Sequence, residues 1–352
     1  MSNTNYNSNL LEKPNQINKD SDIQNESDPM NIQFYKNLSN DSYSNYWLDN
    51  TIAVFKSIYE IIYLIFSNKN KSIIFYNIID EKIIKEIKNA HNYYITNFRH
   101  YLDKINKRDL LMSISADDRN IKIWNINNSE CLLNIKNIYN NGFLYSACFL
   151  NDNNQNYIIT SICDFPSPIK VFDFNGIKIK EINDSCDDTG LIDIYYDYKL
   201  YNTYIVTGNR GYIKSYNYRD YQIYHKYQDN ILSNYIDSII FIKNEIIKMI
   251  GSCGGNIIIW DFHSGILLNR IKFKNCLLKG ISLWNNNYLF IGCENSEIIL
   301  IELNKGIIIK TLKGHNQFVL TIKRIIHPIY GKCLISQGID DKINFWISKT
   351  NY

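Results

Sequence analysis

From about residue 31 onward, short runs of β-branched and aromatic residues alternate with clusters of Asn, Asp and Gly. The alternation recurs about every 8–12 residues, which is the texture of a many-stranded antiparallel fold, and no helical stripe competes with it. Near the C-terminus, residues 318–325, 332–337 and 342–347 read as three strands, with Asp340-Asp341 turning the chain between the second and third. The preceding stretch reads as four: 278–284, 288–292, 297–302 and 306–312. Earlier stretches give matching pieces at 110–115, 120–126 and 131–138, and again at 204–207, 212–218 and 221–227.

These pieces are copies of one unit. With Trp346 as register mark, equivalent aromatic or apolar residues stand at Tyr76, Trp124, Phe172, Tyr216, Trp260 and Ile301. The steps between them are 48, 48, 44, 44, 41 and 45 residues. A period of that size means supersecondary units that bury their faces against one another, so the fold is decided at the level of the repeat. Seven marks give seven units, with six or eight as the alternatives. The last has only three strands, which would leave a raw sheet edge. Residues 31–38, Asn-Ile-Gln-Phe-Tyr-Lys-Asn-Leu, are strand-like and precede the first full unit at about Thr51, so they are expected to supply the missing strand and close a ring. Residues 1–30 are polar, rich in Asn, Ser and Asp, and lack an apolar period; a disordered tail is expected there, with one repeat domain over 31–352.

Composition narrows the classes. A hydrophobic content of 45% fits a globular chain of 352 residues, and a net charge of +3 gives no reason to expect nucleic acid or an anionic membrane surface. The longest apolar run near the start, 61–66, is far too short to span a bilayer, and residues 1–29 lack the apolar core of a secretory signal. The eight cysteines are scattered with no metal-knuckle spacing. They read as reduced, small buried side chains, with Cys253, Cys293 and Cys333 near equivalent repeat positions, and a cytosolic or nuclear home follows.

The best-preserved unit runs from Gly314-His315 through Ser336 and Asp340 to Trp346, and Trp260-Asp261 stands at the corresponding place two units earlier. These residues resemble the WD-repeat (Trp-Asp repeat) β-propeller family over about residues 31–348, in texture closest to its Asn- and Ile-rich protist members. The resemblance implies an all-β, seven-bladed β-propeller of four-stranded antiparallel blades, closed by the N-terminal strand. It also implies that His315, Ser336, Asp340 and Trp346 form a buried hydrogen-bonded tetrad. The residue types suit this: an indole only donates, a carboxylate only accepts, and Ser and His do both. Other units depart from the pattern. The second has His91, Asp118 and Trp124, but Ser113 and Ser115 straddle the serine site. The fifth has Ser252 and Trp260, with Gly254 in place of Asp; the third and sixth carry Phe172 and Ile301.

A search for chemistry returns nothing that outweighs structure. None of the six histidines has zinc-helix spacing; Gly251-Ser252-Cys253-Gly254-Gly255 lacks the Gly-Lys-Ser/Thr ending of a phosphate loop and reads as a turn. No Gly-x-Ser-x-Gly elbow occurs. No catalytic set, metal, cofactor or small-molecule substrate is therefore expected. Family members mostly serve as protein-interaction platforms, which implies a non-catalytic scaffold binding a protein or peptide within a larger assembly. The binding candidates lie in fourth-to-first and second-to-third connections, which share one rim: Tyr94, Arg119, Phe165, Arg210 and Phe318. Aromatic and Arg side chains are favoured interface anchors. An alternative is a substrate receptor of a cullin-type ubiquitin ligase. Such adaptors often carry Arg two residues after Trp-Asp, where this chain has His263. The Phe-Arg-Arg-Gly motif of phosphoinositide-binding propellers is absent.

Overall fold

The computed structural model describes residues 28–38, 51–139, 142–152, 155–163, 168–183, 189–229, 233–274 and 276–348. The polar segment 1–27 and, among the residues singled out above, Phe165 and one of the eight cysteines, Cys186, lie outside the described residues. Asp28 caps a 3₁₀ turn at Pro29–Asn31 by accepting from the Met30 N–H at 2.9 Å, with Pro at its first position where no donor is missed.

The described residues form a seven-bladed β-propeller of four-stranded antiparallel blades. Blade 5 shows the plan: Ile236–Lys243, Ile247–Cys253, Asn256–Asp261 and Leu267–Lys272 run in order from the ring's axis to its perimeter. Blade 7 combines Val319–His327, Gly331–Gly338 and Ile343–Ser348 with the N-terminal strand Ile32–Leu38 as its outermost member. The ladder pairs Ile32 with Ser348, Phe34 with Trp346 and Leu38 with Ile343. The first strand of blade 7 packs against that of blade 1, Ile52–Lys56, so the ring is closed.

The core lies between blades. Seven apolar clusters each draw side chains from two neighbouring blades: Ile250, Ile259, Leu289 and Ile301 bridge blades 5 and 6, and Ile62, Leu64, Ile335 and Phe345 bridge blades 1 and 7. A middle strand is therefore covered on both faces and loses the polar alternation of a half-buried sheet. Ile62–Ser67 and Ile73–Asn77 are buried at every position, whereas outer Lys82–Ile87 keeps Lys82, Ile83, Ile84 and Glu86 exposed. Each fully buried Ile or Leu contributes about 1.5–3 kcal/mol, which is why apolar content survives where the polar motif has eroded.

The register residues have a backbone counterpart. In six blades the pairing of third and fourth strands slips just before Tyr76, Trp124, Phe172, Tyr216, Trp260 or Ile301. A β-bulge there sharpens the twist of the outer ribbon. Blade 7 has the same slip: Phe34 pairs with Trp346 and Lys36 with Phe345, which leaves Tyr35 as the extra residue on the outermost strand, and the Phe34 ring meets the indole edge-on at 5.7 Å.

Candidate functional site: the rim loops and the hydrogen-bond chains beneath them

In blade 7 the Trp346 indole N–H donates to Ser336 Oγ at 2.8 Å, and Ser336 Oγ lies 2.7 Å from His315 Nε2. His315 Nδ1 is 2.9 Å from Asp340 Oδ1, and the other carboxylate oxygen accepts from the Asn316 N–H at 2.8 Å. One proton arrangement satisfies every link: Trp to Ser, Ser to His Nε2, and His Nδ1–H to Asp. Burial alone would raise the Asp340 carboxyl; the His315 hydrogen bond, the Asn316 and Lys342 N–H groups and the His315 charge outweigh it and hold it below the usual range. The chain fixes the fourth-to-first loop that carries His315 onto the second-to-third turn that carries Asp340. Gly338 sits beneath both: a Cβ there would lie 2.7 Å from His315 Nδ1 and 2.6 Å from Asp340 Oδ1.

Blade 2 repeats the chain through Ser113, with links of 2.8 Å to both His91 Nε2 and Trp124 Nε1. Trp124 pairs with Leu111, two residues before Ser113, as Trp346 pairs with Leu334, two before Ser336. The ambiguity between Ser113 and Ser115 comes from one extra residue in the intervening turn. The last link is open here, since His91 Nδ1 stands 3.6 Å from Asp118, whose carboxylate instead accepts from the Asn92 N–H at 2.8 Å. Burial, helped by the Lys122 charge and opposed by Asp118, brings His91 down to about 4, so it is neutral at pH 7.

The same register corrects the fifth blade. Trp260 pairs with Met249, which puts Gly251 at the serine site. Ser252 points the other way and donates to Lys279 O of blade 6 at 3.0 Å. The buried Trp260 indole N–H has no partner. In blade 3 a different pair fills the site: the Tyr139 hydroxyl lies 2.8 Å from Thr160 Oγ1 and 2.9 Å from Pro168 O. Tyr139 precedes Thr160 by 21 residues, the spacing of His315 and Ser336. Sequence reading passed over it because Tyr stands where His was sought. Cys253 and Cys293 are equivalent, each ending a second strand, and their blade 7 counterpart is Gly338. Cys333 is not, because blade 7 is longer than blade 5 and the residue falls near the start of its strand.

Of the rim candidates, Tyr94 and Arg119 both lie on blade 2 and are half-buried. Arg119 has a left-handed backbone, φ 54°, at the turn position that Asp341, φ 56°, occupies in blade 7. Phe318, half-buried, is on blade 7, on the other side of blade 1. Arg210 is exposed on blade 4, and its Nε donates to Ser233 O at 3.0 Å. The four share one rim but do not form one patch. Sequence reading did not single out the opposite rim, where first-to-second connections expose Tyr198 at 66%, Leu200 at 59% and Tyr201 at 79% on blade 4. Ile246 of blade 5, Ile105 of blade 2 and Ile329 of blade 7 are similarly exposed in their own connections. The legible signal was large apolar residues inside turn sequence, as in Tyr198-Lys-Leu-Tyr201.

His263 does not resemble a free docking contact. Its Nε2 is 2.8 Å from the buried Asp197 carboxylate and its Nδ1 is 3.3 Å from the Tyr224 hydroxyl. Among the described residues no group of three or more His, Cys, Asp or Glu is arranged to hold a metal ion. Comparison with protein-family models and with curated proteins finds no match.

Proposed function

We propose that this β-propeller is a non-catalytic scaffold of the WD-repeat kind that binds another protein or a peptide on its rim. The observation that carries the reading is the coupling of rim loops to buried hydrogen-bond chains in blades 2 and 7. Loops fixed in this way present side chains at little ordering cost, which is what recognition needs. Tyr94, Arg119 and Phe318 ride on those loops, and Arg210 extends the rim to blade 4. A second reading puts the contact on the opposite rim, favoured by the exposure of Tyr198, Leu200 and Tyr201. The ubiquitin-ligase alternative draws no support from His263, which is engaged by its neighbours. A cytosolic or nuclear home belongs to the same reading and rests on the scatter of the cysteines along the sequence, the six with described side chains being free thiols.

The test is affinity capture with mass spectrometry. Wild type is compared with Tyr94→Ala/Phe318→Ala and with Tyr198→Ser/Tyr201→Ser, all checked for equal melting temperature. Loss of a captured protein in the first variant supports the loop-anchored rim, and loss in the second moves the contact to the other rim. Equal capture by all three refutes both.

A further inference from the structure

Blade 6 has no Trp at its register position and no His–Asp pair over its second-to-third turn. Two thiols occupy that place. Cys293 ends the second strand of the blade, Tyr288–Cys293, and is fully buried. Cys276 lies in the connection from blade 5 and is partly exposed. It packs against the apolar cluster that contains Cys293. The backbone holds the two together: Leu278 pairs with Cys293, and the Glu294 N–H donates to Leu277 O at 2.9 Å. Each thiol is the leading influence on the acidity of the other. Both are free thiols.

We propose that Cys276 and Cys293 form an oxidant-sensing pair, with Cys276 as the sulfur that attacks hydrogen peroxide and Cys293 as the resolving thiol. The geometry assigns the roles, because only Cys276 is open to solvent and only Cys293 is held behind it. The acidities agree. The hydrogen bond from Cys293 outweighs burial and lowers Cys276, and the Glu294 and Asn295 backbone adds to this. The same hydrogen bond, with burial, pushes Cys293 well above the ordinary thiol range.

The chemistry balances in two steps. The Cys276 thiolate attacks one peroxide oxygen, the O–O bond breaks, and the departing hydroxide takes a proton to become water, leaving a sulfenic acid. The Cys293 sulfur then attacks the Cys276 sulfur, the S–O bond breaks, and the second hydroxide takes the Cys293 proton. Two thiols and one peroxide become one disulfide and two waters. The bond would staple the inter-blade connection onto the second strand, the junction that the His–Asp pair fastens in blade 7.

The full-length wild-type chain, treated with hydrogen peroxide, alkylated and digested with trypsin without reductant, tests this. Cleavage puts Cys276 in fragment 275–279 and Cys293 in fragment 280–305, each with no other cysteine. The expected result is those two fragments joined, separated again by dithiothreitol, with a higher melting temperature for the oxidised chain. Cys293→Ser is expected to arrest Cys276 as a dimedone-reactive sulfenic acid, and Cys276→Ser to abolish both products. At neutral pH iodoacetamide should label Cys276 roughly tenfold faster than the exposed Cys131, whose thiol burial of its sulfur raises. Oxidation of Cys131 ahead of the pair, or conversion of Cys276 to sulfinic acid without the joined fragments, overturns the proposal. The wild-type digest decides the matter even where a variant fails to fold.

Discussion

Replacing Ser336 by Ala tests whether the blade 7 chain stabilises the ring or merely decorates it. Ser336 is the hub, with one hydroxyl serving Trp346 Nε1 at 2.8 Å and His315 Nε2 at 2.7 Å. Ser336 is fully buried, Trp346 is 1% exposed and His315 6%. Alanine fits the space, so the change leaves packing intact and strands two buried polar groups. Each stranded group costs about 1–3 kcal/mol, and the pair together roughly 3 kcal/mol. For a domain of this size that corresponds to a fall of about 4–5 °C in melting temperature. Trp346→Phe removes the indole N–H with some core volume, and in the double variant that donor no longer goes unpaired. The cycle of wild type, two single variants and the double variant should therefore show a coupling of about 1–2 kcal/mol, measured by guanidinium and thermal unfolding. A Ser336→Ala protein within about 0.5 kcal/mol of wild type, or a coupling near zero, refutes the account, because fully buried partners cannot lose a hydrogen bond at no cost.

Blade 5 allows the converse: Gly251→Ser should give the lone Trp260 N–H an acceptor and raise stability by about 1 kcal/mol, provided the Ile213 methyl, 3.3 Å from the new Cβ, gives way; a lower melting temperature would show that crowding wins. Removing residues 1–38 should expose the edge of Ile343–Ser348 and take away fully buried Ile32 and the Lys36–Glu81 pair at 2.7 Å, lowering the melting temperature and causing concentration-dependent association in light scattering; a monomer melting like wild type would refute closure by that strand. His91 gives a pH dependence whose sign is fixed. Its folded value, about 4, is depressed from 6.5, so the unfolded chain takes the proton first, and stability present above about pH 6.5 is lost as pH falls toward 4. The loss is roughly 3 kcal/mol, and His91→Gln should flatten that part of the unfolding profile, leaving the fall below about pH 4 to which Asp340 contributes.

The architecture was legible because the repeat is written in apolar residues, and the reason is visible at Ile301. It keeps the register of a tryptophan without any of its hydrogen bonds, since the position must fill an inter-blade cluster and sits beside a bulge whatever its polarity. The closing strand was legible for a similar reason: Ile32 must fill a core site while an edge is left open. The polar chains were less legible. Choosing between Gly251 and Ser252 requires knowing which face of a strand a residue takes, and choosing between Ser113 and Ser115, which share a face, requires the ladder register that one extra turn residue obscures. Tyr139 reaches Thr160 with a phenol in place of an imidazole, a substitution that hydrogen-bond chemistry allows and pattern matching does not. The exposed residues Tyr198 to Tyr201 were hidden by composition, because one more tyrosine in a tyrosine-rich chain carries no signal until its surroundings are known.

The placement of the most complete chain has a physical logic. In the other six blades, covalent turns join all four strands in sequence. In blade 7 the third and fourth strands come from opposite ends of the described chain, and the ladder between Ile32–Leu38 and Ile343–Ser348 joins them in place of a covalent turn. Fraying at that ladder opens the ring, so interactions anchoring either side act on the weakest joint. Trp346 lies on this ladder opposite Phe34, and the tetrad ties it inward to Ser336 on the second strand. On the outer side, Lys36 reaches Tyr76 at 3.1 Å in blade 1, and Lys310 of blade 6 donates to the carbonyls of Met30 and Ile32 at 2.6 and 2.7 Å. A hydrogen bond contributes the same free energy in any blade. In a cooperative ring it protects more where its loss releases an end, so an unpaired indole is tolerable in blade 5, whose strands follow one another in sequence, and costly in blade 7.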